Sequence, residues 1–169
     1  MKRFKDSILN SLKEKNWYAA LTVSLLIPDI CGNLEFPHEQ VGKRYKQWVE
    51  KYLQDKYTSY VGADRKKIIF LSAQDCYNLR CSLVHAGSDK VSDKAVKDSL
   101  SKFHFVIPDE RLIIHNNLIN DALQLDIGIF CRDMCNSLDE WLNDIDDTTK
   151  ERFSNLLVIH DFKNGSIFF

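Results

Sequence analysis

Residues 80 to 85, Arg80-Cys81-Ser82-Leu83-Val84-His85, set an arginine and a histidine five positions apart. An arginine is charged at any working pH and forks onto phosphate, whereas a histidine has an ordinary pKa near 6.5 and exchanges protons at neutrality. These are the types a phosphate-binding, acid-base site needs. Seven arginines and five histidines make the spacing cheap by chance, so its place on a helix carries the weight. Ser72 followed by Asp75 reads as a capping box and Gly87 as a left-handed stop, which puts His85 in the last turn. Five residues of helix advance about 7.5 Å and rotate about 140°. The two side chains therefore converge if the guanidinium reaches along the helix or the last turn unwinds toward Gly87. A structural alternative also stands: His85 favours the negative end of the helix macrodipole, and Arg80 pairs with Asp75 or an acidic neighbour.

Other chemistry is thinner. Gly42-Lys43-Arg44-Tyr45 offers two cations and an aromatic beside a helix start, able to hold a phosphate and stack a base or else to form an exposed turn of a basic helix. Val61-Gly62-Ala63-Asp64-Arg65-Lys66-Lys67 has one glycine and lacks the spacing of a phosphate-binding loop. Cys81 and Ser82 stand near His85, but no oxyanion loop accompanies them. Five cysteines, an odd number without a Cys-x-x-Cys pair, fit free thiols in a reducing compartment. Cys131 and Cys135 share one helix face, yet no second pair completes a tetrahedral metal site, so buried thiols are the better reading and no metal is expected.

The elements that must position these residues read mostly as helix. Phe4, Ile8, Leu9 and Leu12 have amphipathic spacing, and Asn16 caps a second helix from Trp17 to about Ile27, which Pro28 should end or kink. Pro37 begins a third, with Val41, Tyr45, Trp48, Val49 and Tyr52 as its apolar stripe. Beyond the Arg-His helix the period changes. Phe103, Phe105 and Ile107 alternate with His104 and Val106, Pro108-Asp109-Glu110 turns the chain, and Arg111 to His115 reads as a second strand. Asn116-Asn117 suits a hairpin turn and Leu118 to Leu125 a third strand. Helix resumes near Asp126, and a last one runs from about Thr148 to Ile159. The expected fold is a single, mainly α domain, a helical bundle carrying a small antiparallel β-meander or hairpin at about residues 102–125.

Composition supports a folded core: 169 residues are 44% apolar with 6 Gly and 3 Pro, which excludes collagenous and disordered classes. A formal net charge of −1 excludes an indiscriminate basic binder of nucleic acid. The charge is nevertheless polarised, with 13 basic and 8 acidic residues over 1–67 against 1 basic and 8 acidic over 121–147. Solvated helix faces explain this, or a basic part that meets phosphate or another acidic surface. The apolar stretch from Trp17 to Pro28 falls short of the roughly 20 residues that span a bilayer, and Met1 to Asp6 lacks a signal-peptide pattern. A cytoplasmic protein with no membrane partner is expected.

The segment Tyr77-Asn78-Leu79-Arg80-Cys81-Ser82-Leu83-Val84-His85-Ala86-Gly87 resembles the signature helix of the HEPN superfamily, all-helical bundles with Arg-x(4–6)-His near the end of one helix. The chain also resembles a group of bacterial and phage proteins sharing an Ile-Pro-Asp-Ile-Cys-Gly run, here 27–32, a Gly-Lys-Arg-Tyr run, here 42–45, and the Leu-Arg-Cys helix. The resemblance implies a metal-independent endoribonuclease without cofactor, working as a homodimer in which two such helices form one cleft. Arg80 would bind the scissile phosphate and His85 would serve as general base or acid at the ribose 2′-oxygen. Cys81 stands where active members often carry Asn, Asp or His, a place Asn78 would fill from one turn away. The partners implied are RNA or a nucleotide and a second copy of the chain; an antitoxin partner is not specified. The alternative is a non-catalytic nucleotide-binding module or a dimeric protein-interaction module in which the same helix only packs an interface.

Overall fold

A computed structural model describes residues 1–84, 101–109 and 111–154 of the chain. The architecture is mainly α, with two small sheets. Six helices are present among these residues: α1 (Lys2–Lys13), α2 (Trp17–Glu35), α3 (Val41–Tyr52), α4 (Ala73–Val84), α5 (Ile127–Asp144) and α6 (Asp147–Ser154). Strands β1 (Thr58–Val61) and β2 (Lys66–Ile69) pair as an antiparallel hairpin, and β3 (Phe103–Val106), β4 (Asn117–Ile119) and β5 (Ala122–Asp126) form a second sheet.

Local chemistry explains most helix ends. Leu12 accepts from the amide of Lys15 and Ser11 from that of Asn16, a Schellman arrangement that Lys15 completes at φ 57° in place of the usual glycine. Asn16 then turns its side chain to the amide of Ala19, so one residue closes α1 and opens α2. Ser72 and Asp75 form the capping box: the Asp75 amide donates to Ser72 Oγ at 3.1 Å, and the Ser72 amide to Asp75 Oδ2 at 3.3 Å. Asp126 caps α5 through the amide of Ile129. Pro37 lies in a turn instead of starting a helix, and α3 begins only at Val41 after Gln40. The last helix is described to Ser154, and the rest of its expected span lies outside the described residues.

Helix α2 is the correction with most consequence. It does not stop at Ile27 but runs through Pro28 to Glu35, 19 residues with a mean hydropathy of 1.2. By length and composition alone it could cross a membrane. In the fold it packs against all five other helices, and Leu21, Leu25, Ile27, Cys31 and Leu34 are buried in the core. Proline removes one backbone donor and crowds the preceding turn. Tyr45 Oη donates to the Leu25 carbonyl in that turn at 3.2 Å, giving the disturbed segment a partner from α3.

The second sheet also departs from a meander. Its order is β3-β5-β4, with β3 parallel to β5 and β4 antiparallel to it. Residues 111–115 are not a strand, and the hairpin turn falls at Asn120-Asp121, both at positive φ, instead of Asn116-Asn117. Central β5 is buried on both faces, which is why Leu118 to Leu125 breaks into two strands around a solvent-facing turn. The β1–β2 hairpin was not expected from the sequence pattern.

His115 ends the irregular segment with its ring 5.5 Å from that of Tyr57, whose hydroxyl donates to Asp133 at 3.1 Å. Burial lowers the His115 pKa below its ordinary value, against the pull of Asp133 and Asp126. The neutral ring is thus the form the fold prefers. That contribution is complete above about pH 6.5 and is lost as pH falls through the lower folded value. Asp133, held above its ordinary value by burial, acts in the more acid window near pH 4. Thermal midpoints at pH 7 and pH 5 should therefore fall less on acidification in His115→Gln than in the wild type.

Packing supplies a second test. A Cβ at Gly32 would sit 2.8 Å from the backbone oxygen of Arg44, which cannot swing away as a side-chain tip can. Gly32→Ala should push α3 from α2 at a cost of about 1–3 kcal/mol. Thermal denaturation should show a midpoint lower by roughly 2–12 °C.

Candidate functional site

Three runs far apart in sequence, 27–32, 42–45 and 77–81, meet where α2, α3 and α4 pack together. Gly32 lies against the backbone of Arg44, and a Cβ at Gly42 would come within 3.2 Å of the Tyr77 ring. Tyr45 is fully buried, edge-on to Tyr77 with ring centroids 5.4 Å apart, and its Oη is 3.5 Å from Cys76 Sγ. These small residues and stacked rings hold the helices close enough for one polar contact to form between them.

That contact joins Arg80 to Asp29. Arg80 Nε donates to Asp29 Oδ2 at 2.6 Å and Nη2 to the same oxygen at 2.5 Å. The arginine side chain is 14% exposed and the aspartate 15%. Asp29 Oδ1 is buried with no hydrogen-bond partner among the described residues. Burial works against the charge on Arg80, but the Asp29 carboxylate, helped by Cys81, outweighs it and raises the guanidinium pKa above its ordinary value. Tyr77 is also raised, by burial first and then by the neighbouring Cys81 thiol. The arginine is therefore a fixed cation matched by one carboxylate, with a tyrosine and a half-buried thiol around it.

The predicted site residues separate into distinct places. Arg80 occupies the last described turn of α4, and His85, Ala86 and Gly87 lie outside the described residues. Asn78, two positions from Arg80 and hence on another side of the helix, accepts from Gln74, whose side-chain oxygen accepts from Lys46. Lys43 is exposed on the first turn of α3 and pairs with Glu39 at 2.7 Å. Arg44 is half-buried, with its Nε enclosed and without a hydrogen-bond partner among the described residues. The structure gives Tyr45 a different place from the one expected: its ring has no face open for a base.

Two residues were missed. Asp29 follows the proline expected to end its helix, so nothing in the local pattern placed its carboxylate beside α4; Tyr77 looked like one more core aromatic. The cysteines are plainer. Cys31, Cys76, Cys131 and Cys135 are free and buried, and burial pushes Cys76 up to about 12 and Cys131 and Cys135 up to about 11. Among the described residues no three His, Cys, Asp or Glu side chains are grouped to hold a metal ion.

No family model matches the chain, and no curated protein or solved structure matches it. The chemistry of the site thus rests on its own residues. Removing one partner of a buried ion pair leaves the other charge uncompensated, at about 3–5 kcal/mol. Asp29→Ala should accordingly lower the thermal midpoint by roughly 6 °C or more. The double variant Asp29→Ala/Arg80→Ala should lose less than the sum of the two single changes, the signature of direct coupling.

Proposed function

We propose that this chain is a HEPN-like protein that acts on RNA as a metal-independent endoribonuclease, with Arg80 on the scissile phosphate and His85 as the proton-transfer group. The supporting observation is the way Asp29 grips Arg80. Two of the guanidinium nitrogens, Nε and Nη2, share one carboxylate oxygen, which fixes the plane and direction of the fork at the end of α4. A cation oriented before substrate arrives stabilises developing phosphorane charge better than a mobile one. In this reading His85 takes the proton of the 2′-hydroxyl and the 2′-oxygen attacks the adjacent phosphorus. The bond to the 5′-oxygen breaks, and an acid, supplied by the second copy in a homodimer, protonates the leaving oxygen. The products are a 2′,3′-cyclic phosphate and a 5′-hydroxyl.

One observation favours a second reading. Arg80 is largely buried and matched by a carboxylate, the environment of a structural ion pair in a non-catalytic nucleotide-binding or dimer-forming module.

Labelled RNA incubated with purified protein in EDTA separates the two. Ribonuclease action predicts cyclic-phosphate ends and a rate lowered about 100- to 10,000-fold in His85→Ala. Arg80→Lys keeps the charge and loses the fork, so it should depress cleavage as well. Activity lost in EDTA and restored by Mg²⁺ or Mn²⁺ would reject the mechanism. No cleavage, together with an Arg80→Lys variant altered only in stability, would leave the module reading.

A further inference from the structure

The cations of the first 67 residues fall into two groups. Lys5, Lys51 and Lys56 meet the carboxylates of Asp139, Asp144 and Glu140 on α5, and Lys43 meets Glu39. Arg65, Lys66 and Lys67 do otherwise. All three are exposed on the β1–β2 hairpin, and among the described residues none has a carboxylate partner. The turn contributes one acid, Asp64, which leaves the segment 62–67 with an excess of two positive charges.

An aromatic ring stands among these cations. Tyr60 is paired with Lys67 in the antiparallel register, and directly paired residues project on the same face. The turn 62–65 is closed by the Arg65 amide on the Gly62 carbonyl at 3.1 Å, and Arg65 leaves it at φ 47°. Its guanidinium carbon lies 5.5 Å from the Tyr60 ring centroid. Tyr60 is 57% exposed and Val61 51%, and a Cβ at Gly62 would meet no atom within 4 Å, so the tip is open to approach. A single exposed tyrosine is ordinary. One flanked by three cations that the fold leaves without carboxylates is a surface with a particular complement.

We propose that the β1–β2 hairpin is a docking surface for single-stranded RNA, where a base stacks on Tyr60 beside Arg65 and the phosphates lie against Lys66 and Lys67. An acidic protein would satisfy the cations and leave the ring uncovered. A nucleic-acid strand brings both the negative backbone and a flat π-face, and stacking of this sort tolerates any base. The surface is separate from Arg80, and its binding is independent of whether the strand is cut.

Fluorescence anisotropy in EDTA with a labelled short 2′-O-methyl oligouridylate, which offers no 2′-hydroxyl for attack, isolates binding from cleavage. Tyr60→Ala should weaken binding about 5- to 150-fold and leave the salt slope unchanged. The triple variant Arg65→Ala/Lys66→Ala/Lys67→Ala should flatten the dependence of log K on log salt by about 2, near 0.7 for each phosphate that a removed cation had neutralised. Arg80→Lys should leave this binding intact while altering cleavage of unmodified RNA, so the hairpin and the Arg80 site fail or stand separately. Circular dichroism and thermal midpoints establish that the variants are folded. Wild-type protein that does not bind the probe, or folded hairpin variants that bind like wild type, would overturn the proposal. So would a labelled polyglutamate peptide that binds as well as RNA and loses affinity in the triple variant alone, since that outcome assigns the surface to acidic proteins.

Discussion

The contact between Asp29 and Arg80 depends on a helix that continues where local rules would stop it. Asp29 stands directly after Pro28, so α2 must pass the proline before it can present a carboxylate to α4. Tyr45, from α3, supplies a hydrogen bond to the turn that Pro28 disturbs. The same tyrosine packs on Tyr77, one turn of α4 before Arg80. Glycines at 32 and 42 let the three helices approach closely enough for these groups to meet. Removing any one loosens the others, because a buried ion pair is favourable only while its geometry is held.

Charge follows a related logic on the outside. The excess of positive charge in residues 1–67 and the excess of negative charge in 121–147 are largely two sides of one interface. Lys5, Lys51 and Lys56 reach α5, and Lys51 also contacts Glu35. Around that point Trp141 donates to Glu35, and Tyr52 to Asp144. Exposed pairs of this kind add little energy individually, about 0–1 kcal/mol each. Their effect is orientation: they align α5 with α1 and α3 over a core that hydrophobic burial stabilises. The polarity visible in the sequence therefore belongs mostly to the fold, and cations outside this arrangement are the ones with charge left for a partner.

What was legible in the sequence was local. Asn16, the Ser72/Asp75 box and Asp126 cap the helices they were expected to cap, because capping is settled within three residues. The apolar stripe from Tyr45 to Tyr52 is buried as its spacing requires. Long-range choices were not legible. The partner that accommodates Pro28 lies some 20 positions from the carbonyl it bonds. Parallel pairing of β3 with β5 is set by burial of β5, and the alternation in 111–115 gave no sign that His115 would be taken by Tyr57. In the candidate site the same division holds: Arg80 could be singled out from its helix, while Asp29 could not, since its role arises only when α2 and α4 are side by side.

The arrangement gives α4 two distinct ends. At its start, β2 leads through Phe70 into the Ser72 cap, and the Ala73 amide donates to Gln54 in the turn that precedes β1, which ties the hairpin to the helix. At its other end, Arg80 is fixed by Asp29. A helix of 12 residues is about 18 Å long. The hairpin and Arg80 are thus connected through one rigid rod and not through a flexible loop, so the distance between them is set by the fold. A chain molecule held at both ends would be held at a defined spacing. Because Tyr60 stacking is indifferent to base identity and an arginine fork reads phosphate alone, such a pair of contacts selects for a flexible, single-stranded backbone and not for a sequence.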